Sequence, residues 1–516
     1  MPKLSRLAFL VLVTGLSATA CVVAKPIATG GAPPPDRSGV SGSAMTRNGP
    51  WATPTITFRY PNQLTGEHFS SPGVGDVMGW GRPELVGGYM DGVVRVFDTA
   101  KPLGRIVSSF DTRGAGPQTA GAGAIQASPA IVDFNRDGRL DILVTTTGGN
   151  VWIYTPSLAN KVLFYARTVD RATPGNFATP TVADINRDGQ LDVVETSWNQ
   201  YLHVWDGRAG GGKELAGFPV HLQDTSWSSP VVADLDKDGW PEIVFGYDCE
   251  GVPGQRCYSP GGHGGGYVGV VRHDGSWQKG FPYFTPDQVV WYSPAVVDLN
   301  GDGWLDIVSG VGNMPAVGGA GKPGGRQIYA IDRFGHNLPG FPAVLPAKPT
   351  SSPAIGDVNG DGKKDVVFVT DDGGLYAVTS GGALIARACV SNAMTNCPYP
   401  LHTSPVIADI DHDGRQEVVV GGEQWLDVLR VTGNHFTLLY RTWPSDANFG
   451  SYTAVPLSAA PTVFSLAGKA AVAVATDTWF SNGTRAGLMY LYTTPWTLGR
   501  ADWPALKHDS ARTGHG

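Results

Sequence analysis

"VDFNRDGRLDILV", Val132 to Val144, sets aspartates at 133, 137 and 141, an asparagine at 135 and a glycine at 138, with an apolar β-branched run behind them. Crowded carboxylates repel one another and raise each other's pKa unless a cation joins them. The string has five companions: "ADINRDGQLDVVE" from Ala183, "ADLDKDGWPEIVF" from Ala233, "VDLNGDGWLDIVS" from Val297, "GDVNGDGKKDVVF" from Gly356 and "ADIDHDGRQEVVV" from Ala408. All six share one grammar, with a carboxylate or amide oxygen at positions 1, 3, 5 and 9 of a nine-residue loop and glycine at position 6.

Hard divalent cations such as Ca²⁺ take six to eight oxygens at about 2.3–2.6 Å. Alternate positions of a tight turn point their side chains at one centre, and glycine allows the positive φ such a turn requires. The carbonyl of residue 7 supplies a further oxygen. The expected ligand sets are Asp133, Asn135, Asp137 and Asp141; Asp184, Asn186, Asp188 and Asp192; Asp234, Asp236, Asp238 and Glu242. The other three are Asp298, Asn300, Asp302 and Asp306; Asp357, Asn359, Asp361 and Asp365; Asp409, Asp411, Asp413 and Glu417. About six Ca²⁺ ions are expected. Solvated acidic hairpins are the plain alternative, and they do not account for six copies of one spacing. An EF-hand is excluded, because its twelve-residue loop lies between helices, whereas these loops lie between strand-like runs such as "SPAIV" and "DILV".

The loops recur through a chain of 516 residues, too long for one ordinary compact domain. Charged residues are only 16%, while 70 glycines and 39 prolines suit many short strands joined by tight turns. The formal net charge is −7, and the loops hold nearly half of the 45 acidic residues, so the acidity is local. No Lys/Arg cluster points to nucleic acid.

Residues 1–20 read as an export signal, with Lys3 and Arg6 before an apolar stretch from Leu7 to Leu16 that is too short to span a bilayer. "ATAC" resembles a lipobox in which Cys21 is lipidated, although Ala18 departs from the usual Leu or Val; plain secretion is the alternative. Residues 21–50 are a low-complexity tether rich in Gly, Pro and Ser. In an exported chain the two local pairs Cys249/Cys257 and Cys389/Cys397 read as disulfides.

In every full loop a proline stands four residues before the first aspartate, preceded by Ser or Thr: Pro129, Pro180, Pro230, Pro294, Pro353 and Pro405. The same rule finds two more units. One has Pro72 and Asp76 but puts Met78 and Trp80 where ligands belong; the other has Pro461, Ser465 and a shortened loop. Both are expected to lack a metal. A period near 55 residues means a repeat array or a propeller. The unit from Pro129 reads as four strands, "SPAIVDF", "DILVTTT", "NVWIYTP" and "VLFYART". Four antiparallel strands per unit make a propeller blade, and a closed ring protects the sheet edges. The expected domain, residues 51–516, is an all-β propeller of eight blades, with seven as the alternative count. "TPTITFRYP", Thr53 to Pro61, is expected to complete the last blade and close the ring.

These loops, with "GFP" recurring at Gly217, Gly280 and Gly340, resemble the FG-GAP/VCBS repeat family, which includes the propeller of integrin α-subunits. The closing "WPALKHDSARTG" resembles the terminal segment of bacterial secreted members. The resemblance covers about Trp51 to His508 and implies a calcium-binding propeller; it says little about function, because sites are grafted onto folds.

Blade geometry places the loops on one face and leaves the other for binding. Two long second-to-third turns fall on that free face, from Tyr247 to Gly266, which holds Tyr258 and His263, and from Val311 to Arg326. Phe69, Phe177, Trp227, Trp291 and His402 stand three residues before repeat prolines, at the channel mouth. Rings there stack on sugar faces or pack between blades. No HExxH, GxSxG elbow or phosphate loop occurs. The sequence therefore reads as a secreted or lipid-anchored monomer that binds an extracellular glycan or protein and meets a membrane only through its lipid. The enzymatic alternative is a calcium-dependent lyase of the rhamnogalacturonan type, by fold analogy alone.

Overall fold

The computed structural model describes residues 56–59 and 70–508, apart from 101–104, 114–122, 169–174, 250–264, 287–288, 312–324, 391–402, 423–424, 443–451, 455–458, 481–484 and 507. The signal and tether, Cys21, Cys257, Cys397, Phe69, Tyr258, His263 and His402 lie outside the described residues.

Eight antiparallel sheets form a propeller of four-stranded blades. Blade 2 shows the unit: Ala130–Val132, Asp141–Thr145, Asn150–Thr155 and Lys161–Arg167 pair in chain order. Each blade is stacked on a neighbour at both faces, so its middle strands are apolar on both sides. Asp141–Thr145 is buried throughout, whereas the outer strand Lys161–Arg167 is half-buried. Helix is confined among the described residues to two short 3₁₀ turns.

Blade 8 combines Thr462–Leu466, Lys469–Phe480 and Arg485–Thr493 with Ile56–Arg59 from the start of the domain. Ile56 pairs with Leu491 and Thr57 with Tyr490, so the N-terminal strand closes the ring as its position in the sequence predicts. Tyr452–Ala454 adds a fifth strand at the far end of Lys469–Phe480.

The Ser or Thr before seven of the eight repeat prolines forms a belt. The backbone N–H of Ser71 donates to Ser128 Oγ at 2.8 Å, that of Ser128 to Thr179 Oγ1 at 3.1 Å, and that of Thr179 to Ser229 Oγ at 2.8 Å. Ser229 continues to Ser293 at 3.0 Å, Ser293 to Ser352 at 3.1 Å, and Ser352 to Ser404 at 3.1 Å. The Ala460 N–H returns to Ser71 Oγ at 3.0 Å, joining the last blade to the first. The belt is interrupted where Ala460 offers Ser404 no hydroxyl. "GFP" marks a second seam. A Cβ on Gly217, Gly280 or Gly340 would lie 1.9 Å from a carbonyl oxygen of Asp274, Phe334 or Gly381 in the next blade's hairpin, so only glycine fits.

A buried N–H stripped of its acceptor costs about 1–3 kcal/mol. Ser293→Ala, which orphans the Ser229 N–H, is expected to lower stability by that amount in denaturant titrations. Ala460→Ser completes the belt and is expected to add about 1 kcal/mol. Equal stabilities for both variants and the parent would show that the belt holds nothing.

Candidate metal centres

Each acidic loop connects the first and second strands of its blade, and its own backbone holds the carboxylates in place. The position-1 aspartate caps the turn. Asp133 accepts the N–H groups of Asp137 and Gly138, both at 2.9 Å; Asp184 does the same for Asp188 at 3.0 Å and Gly189 at 2.9 Å. The position-5 aspartate accepts the N–H of residue 7: 2.9 Å for Asp137 and Arg139, 2.7 Å for Asp238 and Trp240, 2.8 Å for Asp302 and Trp304.

Glycine at position 6 takes φ between 83° and 90° in all six loops. Position 4 is also left-handed, which the sequence reading did not identify: Arg136, Arg187, Lys237 and His412 have φ of 57–60°, and glycine stands there at Gly301 and Gly360. The signal was present in the two "NGDG" copies, where a second glycine precedes position 5.

The position-9 carboxylate begins the second strand and is buried in every copy. One of its oxygens accepts the N–H of position 2, as in Asp141 from Phe134 at 3.0 Å, Glu242 from Leu235 at 2.9 Å and Asp306 from Leu299 at 3.1 Å. Burial pushes Asp192 up to about 6, and Glu242, Asp306, Asp365 and Glu417 up to about 7, with nearby loop carboxylates adding to the rise. A cation at the loop centre would lower these values again.

The donor set fits such an ion most clearly in blade 4. Asp234, Asp236 and Glu242 bring ligand oxygens within 4.8 Å of one another, and Asp234 Oδ1 and Glu242 Oε1 are buried without a hydrogen-bond partner. Asp409, Asp411 and Glu417 form the second such group in blade 7.

The two degenerate units behave differently. In blade 1 Asp76 still accepts Trp80 N–H at 2.6 Å and Gly81 N–H at 2.8 Å, and Glu84 stays fully buried. The turn is therefore kept while Met78 and Trp80 remove two ligands. In blade 8 Leu466 pairs with Lys469 across a two-residue turn, Ala467 at φ 50° and Gly468 at φ 78°, which leaves no loop to hold an ion.

On the opposite face the structure gathers Phe177, Trp227 and Trp291 into one row. Phe177 and Trp227 have ring centroids 4.6 Å apart, and Trp227 and Trp291 5.6 Å. Trp198, from the second-to-third turn of blade 3, joins at 4.5 Å from both Phe177 and Trp227. Sequence reading missed it because no other full unit has an aromatic residue at that place, 18 positions after the repeat proline: Thr147, Asp248, Gly312, Asp371 and Glu423 stand there. The Trp291 indole N–H donates to buried Asp248 at 2.7 Å.

An FG-GAP-like repeat model matches residues 133–195, 184–245 and 357–420, and an FG-GAP repeat model matches 290–323. The chain carries FG-GAP repeats. These repeats fall within an eight-bladed β-propeller. Protein linkin of Caenorhabditis elegans is 27% identical over 129 residues, 24% of this chain and 21% of linkin, so the chain spans about a fifth of that relative's length. Among solved structures, rhamnogalacturonan lyase YesW superposes with a TM-score of 0.52 at 15% identity, over 89% of this chain and 79% of that one. At that identity the likeness shows the fold alone. No helix among the described residues is long and apolar enough to cross a membrane.

The buried position-9 acids of the FG-GAP loops set a pH dependence. Their folded pKa values exceed the unfolded ones, about 3.9 for Asp and 4.3 for Glu. Between about pH 4 and 7 the folded chain therefore holds more protons, and stability falls as pH rises. In EDTA, the melting temperature is expected to be higher at pH 5 than at pH 8. A flat or rising profile would mean that these carboxylates ionise as freely in the fold as outside it.

Proposed function

We propose that this FG-GAP propeller is an exported calcium-binding module whose ions brace one face while the other binds an extracellular glycan or protein. The observation that carries the calcium reading is the blade 4 loop, where buried oxygens of Asp234 and Glu242 converge with Asp236 and lack partners. A buried acceptor left in this state costs free energy that a cation recovers. The same turn is repeated in blades 2, 3, 5 and 6 with Asn at position 3. Export fits the signal-like first 20 residues, and the cysteine pairs Cys249/Cys257 and Cys389/Cys397 suit an oxidising compartment. Cys21 is the residue that a lipid anchor would use.

Binding at the free face is supported by the row of Phe177, Trp198, Trp227 and Trp291, half-buried rings on three successive blades. Aromatic faces suit apolar sugar faces and protein anchors alike.

Calcium at a hundredfold excess over its Kd adds about 2.7 kcal/mol per site, provided it binds only the folded chain. EDTA is thus expected to lower the melting temperature strongly at neutral pH, and added calcium to restore it. A melting temperature indifferent to EDTA would sink the calcium reading. For the ligand, a glycan array on calcium-loaded protein, with detection of unsaturated uronate products, separates binding from lyase action. Trp227→Ala and Trp291→Ala are expected to weaken any hit by tenfold or more while calcium content stays unchanged; unaltered binding in both would move the site off the aromatic row.

A further inference from the structure

Two loops carry the donor set Asp, Asp, Asp, Glu: Asp234–Glu242 in blade 4 and Asp409–Glu417 in blade 7. In both, an arginine stands across from the glutamate on the third strand. Arg272 pairs with Glu242, and the pairing of Val418 with Leu429 brings Arg430 opposite Glu417. The two arginines act differently. Arg272 lies toward the surface and donates to Asp238 at 3.0 Å, leaving Glu242 Oε1 without a partner.

Arg430 turns into its loop. Its Nη1 lies 2.7 Å from Asp413, its Nη2 lies 3.2 Å from each carboxylate oxygen of Asp411, and its Nε donates to Glu417 Oε1 at 2.8 Å. Nη2 also reaches that Glu417 oxygen. The other glutamate oxygen accepts the Ile410 N–H at 2.9 Å. Three of the four acidic side chains thus share one guanidinium, whose side chain is only 15% exposed.

The first aspartate of this loop is covered by the chain itself. Asp409 N–H donates to the Arg500 carbonyl at 2.7 Å, and the Gly499 N–H donates to the Asp409 carbonyl at 2.8 Å. Asp409 is 3% exposed, and a Cβ on Gly499 would lie 2.2 Å from its Oδ2.

We propose that the Arg430 guanidinium is the resident cation of the blade 7 loop, so that this loop takes no calcium although its sequence matches the calcium grammar. Guanidinium is planar, permanently charged at working pH and shaped to fork onto carboxylates. Calcium needs oxygens at about 2.3–2.6 Å from its centre. Here the N–H groups of Arg430 and Ile410 already occupy both oxygens of Glu417, and a divalent ion among the same carboxylates would be pressed against a fixed positive charge. The inference rests on the reading that the other five loops bind calcium.

Metal analysis of the full chain, loaded with calcium and freed of excess by gel filtration, is expected to give five ions per chain. Arg430→Gln, which keeps length and removes charge, is expected to give six, and Arg272→Gln five. Six ions in the parent, or five in a folded Arg430→Gln chain, overturns the proposal. Should Arg430→Gln fail to fold, hydrogen exchange of the parent with and without EDTA decides the matter. Chelation is expected to speed exchange in the loops of blades 2 to 6 and leave Ile410–Gln416 unchanged. A blade 7 loop that responds as the others do overturns the proposal. A chain that binds no calcium and responds in no loop overturns the calcium reading instead.

Discussion

One hydrogen bond, repeated at seven of the eight blade junctions, holds the architecture together: a backbone N–H in the segment entering one inner strand meets a hydroxyl on its neighbour. Ser71, Ser128, Thr179, Ser229, Ser293, Ser352 and Ser404 supply those hydroxyls, and all are buried. Each stands just before a proline, which has no N–H of its own to satisfy. The residue before proline is held extended, so its own N–H and side chain are presented at a fixed angle. The belt meets itself where Ala460 returns to Ser71, the junction at which Thr462 Oγ1 also donates to the Pro72 carbonyl at 2.8 Å. Closure between blades 1 and 8 therefore has two independent ties, the inner hydrogen bonds and the outer strand Ile56–Arg59.

The acidic loops build on that frame, and on the calcium reading one set of carboxylates would do two jobs, shaping the turn and holding the ion. Asp at position 1 and Asp or Glu at position 9 accept loop N–H groups, which shapes the turn whatever fills it. Blade 1 separates the jobs. It keeps Asp76 and Glu84 and their hydrogen bonds, but carries Met78 and Trp80 at the intervening positions. Burial pushes Glu84 up to about 7, so near neutral pH a proton can stand where other loops have room for a cation. Blade 7 reaches a third solution with Arg430. Three ways of neutralising one buried carboxylate, by proton, metal or guanidinium, follow from the same desolvation cost.

Much of this was legible in the sequence, for identifiable reasons. The blade count could be read because the repeat proline sits at a fixed distance from the first aspartate, and that proline survives as Pro72 and Pro461 in the units whose loops have degenerated. The loop face was legible because position 1 directly follows the inner strand. Arg430 was not, since it lies 13 residues beyond Glu417 and faces it only through strand register. Arg272 holds the same register place and reaches only Asp238; sequence alone does not separate the two. Position 4 was half legible. Two copies advertise a left-handed residue with glycine, while Arg136, Arg187, Lys237 and His412 adopt it without that signal. Trp198 escaped because its place in the unit is aromatic in no other full repeat, so only its packing on Phe177 reveals it.

The division between the faces follows from where the constraints lie. First-to-second loops have nine fixed positions, and the third-to-fourth hairpins are pinned to the next blade through Gly217, Gly280 and Gly340. A change of length there breaks a contact, and blade 8, whose loop has shrunk to the two-residue turn Ala467–Gly468, keeps no carboxylate set. The second-to-third turns carry no such duty. In blade 2 the turn is a tight one closed by Gly149 N–H on Thr146, whereas the chain runs from Cys249 to Gly265 in blade 4 before the next strand begins. Closing a longer loop adds only slowly to the entropic cost, and the belt beneath stays intact. Insertions and aromatic side chains therefore accumulate on this face, in blades 3 to 5. A ligand held there, as proposed, would meet turns of unequal length set on a ring whose geometry is fixed from the other side.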